Sequence, residues 1–206
     1  MRKISKQVGL EPASLSQFKR RNRQGNYSDL TVETRQDIRL ACTIEQFYLC
    51  AYCCKQISGS SDDTMNEHVI ARKTAPHKSL DYTNIVASCT TANQCDNAHG
   101  SQTLPLTPFD VECETDLDFK LSGRVVGLTD DAQKTIDVLH LDHRSLTEQR
   151  GQFVQALLLG SGIDPDDVID DSDLIQMVID DLAKPQDGRL EAFAPVVINV
   201  LRGWLR

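Results

Sequence analysis

Four cysteines in the first half of the chain have spacings that suit a tetrahedral metal site. Cys50 and Cys53 form a Cys-x2-Cys pair, and Cys89 and Cys95 are separated by five residues. Four thiolates suit a structural Zn²⁺ ion, which stabilises folds too small to hold themselves together. The adjacent Cys54 could replace Cys53 as a ligand. The alternative is four ordinary buried cysteines, because Cys-x2-Cys pairs also occur in redox proteins.

A carboxylate–histidine pair and two asparagines lie between and just beyond these cysteine pairs. Glu67 and His68 come first, Asn84 follows in a Tyr-x-Asn sequence, and Asn97 and His99 come after the second pair. This order resembles that of the HNH, or ββα-metal, nucleases. In that family a zinc-pinned β-hairpin and a short helix present a histidine, an asparagine and a third polar residue around a catalytic divalent metal ion.

The surrounding segments resemble a narrower group in that family, the PtuB proteins of Septu and retron-associated anti-phage systems. The segments that carry the likeness are residues 49–53 (Leu-Cys-Ala-Tyr-Cys), 67–68, 80–85 (Leu-Asp-Tyr-Thr-Asn-Ile), 88–89 and 95–98. Residues 27–30 and 135–139 extend the likeness along the chain. The chain departs from the group in having Ala71 where proline is usual and His99 where lysine is usual.

The resemblance implies a role for each polar residue in phosphodiester hydrolysis, which needs an activated water and a cation on the scissile phosphate. His68 is expected to be the general base, since an imidazole with a pKa of ~6.5 can accept a proton from water at neutral pH. Asn84 would position the loop and the His68 ring. Asn97 or His99, helped by Glu67, would hold the catalytic metal ion. Oxygen ligands favour Mg²⁺, and a histidine ligand makes Mn²⁺ or Ni²⁺ equally suitable.

Two basic residues, Arg72 and Lys73, follow His68 where they could contact backbone phosphates, although plain solvated charges would look the same. Other chemistries have no matching pattern: there is no His-Glu-x-x-His, no Pro-Cys-x-x-Cys and no Gly-rich phosphate loop. The chain is therefore not expected to bind ATP by a Walker motif. The resemblance assigns ATP binding to a separate partner, an ABC or SMC-like ATPase.

Two helices are predicted before the cysteines and a β-hairpin after them. The first helix opens at Glu11 and Pro12, with proline in its first position. Apolar spacing predicts the second from Val32 to about Phe47. The hairpin is predicted where apolar and polar residues alternate over residues 117–128.

The C-terminal third is predicted to be helical. Asp130 or Asp131 would cap a short helix that reaches about Leu139. A capping box at Ser145 and Glu148 would open a longer helix that ends near residue 159. Further helices are predicted from residue 164, over residues 172–183, and over residues 190–205 with a disturbance at Pro195.

The composition is that of a globular chain with an uneven charge. The net charge is −8, yet residues 1–25 hold seven basic residues and one acidic residue, and residues 161–187 hold nine aspartates and one lysine. The basic end could bind nucleic acid and the acidic segment a protein, or both could be solvated helix faces. The odd number of cysteines, without an export signal or an apolar run of ~18 residues, predicts a cytoplasmic protein with reduced thiols or metal ligands and no membrane contact.

The predicted fold is α+β and mostly α-helical, with a small zinc-stapled ββα-metal element. It comprises an N-terminal helical, basic arm (residues 1–47), an HNH segment (48–110), and a hairpin with C-terminal helices (111–206), packed as one unit. The predicted function is a metal-dependent endonuclease that hydrolyses DNA within an anti-phage complex. One alternative is a catalytically inactive zinc-stapled scaffold that binds nucleic acid or a partner. The other is a toxin-like or restriction HNH nuclease that acts without an ATPase.

Overall fold

Helices and two small sheets make up the chain, as seen in a computed structural model that describes residues 1–7, 9–163 and 171–205. Within these residues the helices are α1 Ala13–Arg21, α2 Val32–Glu45, α3 Cys95–His99, α4 Asp130–Leu139, α5 Arg144–Gly160, α6 Ser172–Leu182 and α7 Ala194–Trp204. The strands are β1 Thr64–His68 and β2 Ile85–Cys89, paired antiparallel, and β3 Leu117–Phe119 and β4 Val125–Gly127, paired likewise. The predicted α+β class is confirmed.

The two N-terminal helices form where the sequence predicted them, with shifted ends. Pro12 is the residue before α1 and not its first residue. The Thr31 side chain accepts a hydrogen bond from the backbone amide of Thr34 and so caps α2. This helix ends two residues before the predicted Phe47, because Phe47 and Tyr48 adopt left-handed backbone conformations with φ of 54° and 62°.

The second sheet is a short hairpin whose turn packs directly on α5. Its strands are shorter than predicted, and Phe119 pairs with Val125 next to the turn. Gly123 in that turn has φ +81°, and a Cβ atom there would lie 2.1 Å from the backbone oxygen of Thr147. The buried Arg150 of α5 donates a hydrogen bond from Nε to the Gly123 carbonyl at 2.5 Å.

The capping box predicted at Ser145 is wrong. Helix α5 begins one residue earlier, after His143, and the Ser145 hydroxyl instead accepts a hydrogen bond from Nε2 of Gln94 at 3.0 Å. The cap predicted for the preceding helix is also shifted, since the side chain of Thr129 accepts from the amide of Ala132. The end of that helix at residue 139 is as predicted.

The last helix begins at Ala194, four residues later than predicted. Pro195 does not disturb it, because proline in the first turn lacks only an amide hydrogen that has no helical partner there. Helix α6 agrees with its prediction to within a residue. The helix predicted from residue 164 lies outside the described residues.

One hydrophobic core connects the three predicted regions. Fully buried members come from α1 and α2 (Leu15, Ile38), from β2 (Ile85) and from α5 and α7 (Val154, Leu201). Burying a side chain of this size stabilises the fold by about 1.5–3 kcal/mol. Strands β1 and β2 pack on α2, and α3 packs between β2 and α4. The first sheet is therefore held from both sides.

None of the helices in the described ranges combines the length and the apolar character needed to cross a membrane.

Candidate functional site

Four cysteine sulfurs converge where the turn after Leu49 meets the end of β2 and the start of α3. The ligand atoms of Cys50, Cys53, Cys89 and Cys95 all lie within 4.8 Å of one another, and all four residues are buried. The backbone amide of Cys89 donates to the Cys50 sulfur at 3.3 Å. Such a set could hold a metal ion such as Zn²⁺. The predicted metal-binding cluster is therefore confirmed.

The charge balance of the cluster also suits a cation. Hydrogen bonding to Cys50, Cys53 and Cys89 raises the pKa of Cys95 well above its usual value. Four thiolates this close together would repel one another, and a cation between them would offset that repulsion. The neighbouring Cys54 is buried outside the cluster, and its carbonyl accepts from the backbone amide of Phe193 at 2.9 Å. Of the two alternatives for the second ligand, the structure places Cys53 in the cluster.

Strand β1 presents Glu67 and His68 to opposite faces of the first sheet, because successive side chains in a strand alternate. Glu67 points toward the Cys50–Cys53 turn and α3. Its Oε1 accepts from the Tyr52 hydroxyl at 3.0 Å and lies 2.5 Å from Nδ1 of His99. Its Oε2 accepts from the backbone amide of His68 at 3.0 Å. Both carboxylate oxygens of this buried residue are thus in use.

The His99 ring is oriented by the backbone on its far side. Its Nε2 lies 2.7 Å from the carbonyl oxygen of Gln102, and since a carbonyl only accepts, this nitrogen carries hydrogen. Nδ1 therefore faces Glu67 either with a second proton or with its lone pair. Burial opposes a charge on the ring, but the hydrogen bond and attraction from Glu67 outweigh it and raise the pKa of His99. Metal-binding histidines are oriented by backbone carbonyls in the same manner.

Asp96 is a third ionisable group at this place, and the sequence reasoning did not select it. Burial and the adjacent Glu67 carboxylate, to which it hydrogen-bonds, raise the pKa of Asp96 to about 8. Two carboxyl groups and an imidazole thus meet in a largely buried space. Carboxylate and imidazole are ligand types for Mg²⁺ or Mn²⁺, but among the described residues only the four cysteines have ligand atoms grouped closely enough to hold a metal ion. The available signal for Asp96 was its place directly after a cysteine ligand.

Asn97 lies on the other side of α3. It is exposed, and its side-chain oxygen accepts from the backbone amide of Asn93 at 2.7 Å. The structure therefore brings His99, and not Asn97, to Glu67.

On the opposite face of the sheet, His68 is held with one ring nitrogen unused. Its Nε2 donates to the backbone carbonyl of Ser79 at 2.9 Å, which leaves Nδ1 as the acceptor nitrogen of the neutral ring. Burial lowers the pKa of His68 and so favours the neutral form. The ring of Tyr27 meets the His68 ring edge-on, with centroids 4.8 Å apart. The residue is only 5% exposed, so access to Nδ1 is restricted.

Asn84 anchors the loop that follows His68. Its Oδ1 accepts from the backbone amide of Ile70 at 2.8 Å, and its Nδ2 donates to the Ile70 carbonyl at 2.9 Å. The backbone carbonyl of Asn84 also accepts from the amide of Val69 at 3.0 Å. Asparagine suits this place because its amide is both donor and acceptor. It fixes the backbone on either side of the loop and makes no hydrogen bond to the His68 ring.

Arg72 and Lys73 are both exposed, and Arg72 lies over the Tyr27 ring that contacts His68. The guanidinium carbon of Arg72 is 4.9 Å from the Tyr27 ring centroid, and that of Arg35 is 5.6 Å from it. Asn66 donates to the Tyr27 hydroxyl oxygen at 2.8 Å. Sequence reasoning missed Tyr27 and Arg35 as neighbours of His68, because they precede it by more than thirty residues and no spacing connects them.

Neither protein-family models nor curated proteins gave a match to this chain. Its function is therefore inferred from the geometry, in which a histidine with a free acceptor nitrogen and a buried carboxylate–imidazole pair occupy the two faces of one small sheet.

Proposed function

We propose that this chain is a metal-dependent HNH endonuclease that hydrolyses DNA. The observation that carries the proposal is the arrangement of β1, β2 and α3. Four cysteines, suited to a structural Zn²⁺ ion, fix the strand ends to the helix. This unit brings His99 to Glu67 while β1 carries His68 next to it. A strand–strand–helix order with these residue types supports the ββα-metal assignment.

The chemistry assigned to these residues is hydrolysis by an activated water. Nδ1 of His68 accepts the proton of the attacking water, and the Nε2–H bond to Ser79 holds the ring in the tautomer this requires. Asn84 keeps the loop that contains Ser79 closed at its base. Glu67 and His99 would hold Mg²⁺ or Mn²⁺, which when bound supplies positive charge to the phosphate and the leaving oxygen. The side chains of Glu67 and His68 leave β1 on opposite faces, so the proposal requires the end of this strand to rearrange when substrate and metal ion bind.

We further propose that the nuclease acts in the cytoplasm as the effector of an anti-phage complex with an ABC or SMC-like ATPase. The support is the sequence resemblance to the PtuB group. The chain also lacks a Gly-rich phosphate loop, so ATP binding would fall to the partner.

A second candidate is a catalytically inactive scaffold that binds nucleic acid or a partner. The observation that favours it is the direct 2.5 Å contact between Nδ1 of His99 and Oε1 of Glu67, which leaves no gap for a cation between these two atoms. A catalytic site of this kind requires the two groups to separate when the metal ion binds.

The test is cleavage of supercoiled plasmid in Mg²⁺ or Mn²⁺, with an EDTA control, by the wild type and by His68→Asn. We expect the substitution to reduce nicking by at least about a hundredfold, because the amide cannot act as a base. His140→Asn is the matched control, since that histidine is exposed and has a left-handed backbone that asparagine tolerates.

Zinc content and the circular dichroism spectrum should be the same in the wild type and both variants. Undiminished cutting by His68→Asn would refute the base assignment. An absence of cutting by the wild type, alone and co-expressed with the ATPase, would favour the scaffold.

A further inference from the structure

Guanidinium groups surround the Tyr27–His68 pair on the face of the sheet away from Glu67. Arg72 from the loop after β1 and Arg35 from α2 both lie over the Tyr27 ring. Arg39, one turn further along α2, adds a third positive charge that acts on the Tyr27 phenol. Among the described residues none of these arginines forms an ion pair with a carboxylate. In a chain of net charge −8 this is an unneutralised basic cluster.

Polar atoms in this cluster are also incompletely paired. Nε of Arg35, Nε of Arg39 and Oδ1 of Asn66 are buried without a hydrogen-bond partner in the described part of the protein. Buried polar groups normally have partners, and exceptions need an explanation. Arginine is the side chain best matched to phosphate, because its planar group can donate two parallel hydrogen bonds. The cluster has the chemistry of an anion site beside the proposed base.

A groove of about 600 Å³ begins next to this cluster. The end of α1 and the residues after it form one wall with Lys19, Arg23 and Asn26, and the segment from Pro76 to Asp81 forms the other. Two lining residues adjoin the Tyr27–His68 pair. Ser79 accepts the His68 hydrogen bond, and Asn26 directly precedes Tyr27 in the chain. The basic end of α1 therefore borders a groove that lies next to this pair.

We propose that Arg35 and Arg72 bind a backbone phosphate of the nucleic-acid substrate beside His68, and that the groove lined by Arg23 carries the strand away from the site. The phosphate site rests on the proposed nuclease function and adds the residues that would bind its substrate. It makes α1 and α2 the substrate-binding part of the molecule.

The test measures binding without cutting, by fluorescence anisotropy of labelled 20-mers in buffer without added Mg²⁺ or Mn²⁺, because a chelator would also remove the structural Zn²⁺ ion. The probes are duplex DNA, single-stranded DNA and single-stranded RNA, and the variants are Arg72→Gln, Arg23→Gln and Arg35→Gln. Arg124→Gln is the control, because Arg124 is an exposed arginine on the β3–β4 turn. Arg72 and Arg23 are exposed, so their variants keep the test valid if the partly buried Arg35 is needed for folding.

We expect each of the three substitutions to weaken binding roughly tenfold, the size of one charged hydrogen bond. The slope of log affinity against log salt should become shallower by about one for each. The control should bind like the wild type, and the tightest probe identifies the strand type. Wild-type affinity in Arg72→Gln and Arg23→Gln, equal losses in Arg124→Gln, or no binding of any probe by the wild type would each overturn the proposal.

Cleavage by the same proteins separates this inference from the proposed function. If the arginine variants lose binding selectively but the wild type does not cut, the phosphate site is supported and the nuclease function is refuted. If cutting is metal-dependent, requires His68 and is unchanged in all arginine variants, the nuclease function is supported and the phosphate site is refuted.

Discussion

Glu67 is a buried carboxylate whose two oxygens are shared by a hydroxyl, a backbone amide and an imidazole. Groups of this kind are expensive to desolvate, and a well-packed apolar set of the same volume is often as stable or more stable. Asp96 adds a second carboxyl group to the same place. Their cost in stability is therefore the reason for proposing a ligand role for these residues.

The ligand set can be tested by replacing single oxygen atoms. We expect Glu67→Gln and Asp96→Asn to lower the rate of metal-dependent cleavage by about a hundredfold or more, because each replaces a carboxyl group of the proposed cation site by an amide, a weaker ligand. Asn97→Ala should stay within about twofold of the wild type, since Asn97 is exposed on the other side of α3. Single-turnover rates at several Mn²⁺ concentrations provide the measurement. A defect in Asn97→Ala as large as that in Glu67→Gln would contradict this ligand set and would place the metal ion on the exposed side of α3.

At the scale of single residues, the sequence shows which residues are candidates for the site, but it does not show which residues lie next to them in the fold. Glu67, His68 and the cysteines stand out because their types and order are unusual. The choice between Asn97 and His99 depends on which side of a five-residue helix faces the sheet, and tertiary packing decides that. Arg35 lies beside Asn66 of β1 only because α2 packs on that strand. No local pattern in the sequence reports that contact.

The loop between β1 and β2 is the element that supplies both Arg72 and the Ser79 carbonyl to the site. It is closed at its base by the two hydrogen bonds between Asn84 and Ile70 and by the backbone bond from Val69. The position of the His68 ring therefore depends on this closure, because the carbonyl that orients the ring belongs to the loop.

Asn84→Ala is expected to open the base of the loop. It leaves the amide and carbonyl of Ile70 without partners, which should cost about 1–3 kcal/mol of unfolding free energy. Cleavage should fall roughly tenfold, because groups that hold a reactive side chain in its orientation typically contribute that much or more. Asn84→Asp keeps the acceptor and loses the donor, so its defects should be smaller. Denaturant melts, zinc content and cleavage rates check this, and full activity in Asn84→Ala would show that the loop needs no anchor.

Helices were predictable in this chain, but some of their ends were not. The stretch predicted to begin α7 is non-helical and ends in a turn, because the amide of Leu190 donates to the Phe47 carbonyl and that of Phe193 to the Cys54 carbonyl. The start of α5 is likewise set by a contact from a distant segment, the bond from Gln94 to Ser145. The ends of these helices depend on hydrogen bonds to residues that are distant in the sequence, and a local sequence pattern does not reveal them.

At the scale of the whole molecule, the four-cysteine cluster joins segments that would otherwise be independent. We expect Cys53→Ser to lose bound zinc and several kcal/mol of stability, because metal-binding free energy is folding free energy in such sites. For a chain of this size that corresponds to a drop in Tm of about 10 °C or more. Cys54→Ser is the control, since Cys54 is buried outside the cluster and its variant should keep zinc. Metal analysis and calorimetry provide the measurements. Zinc retained by the Cys53→Ser variant would contradict the assignment of Cys53 as a zinc ligand.

The order of the four sulfurs along the chain has a consequence for synthesis. Glu67, His68 and Asn84 all lie between Cys53 and Cys89, so the segment that carries them becomes a closed loop once the four sulfurs share one ion. On the ribosome, where domains form as the chain emerges at about 5–20 residues per second, that loop cannot close before Cys95 has left the exit tunnel. Metal loading and assembly of the reactive groups would then coincide in time. A nascent chain stalled earlier would carry the histidine without the scaffold that orients it.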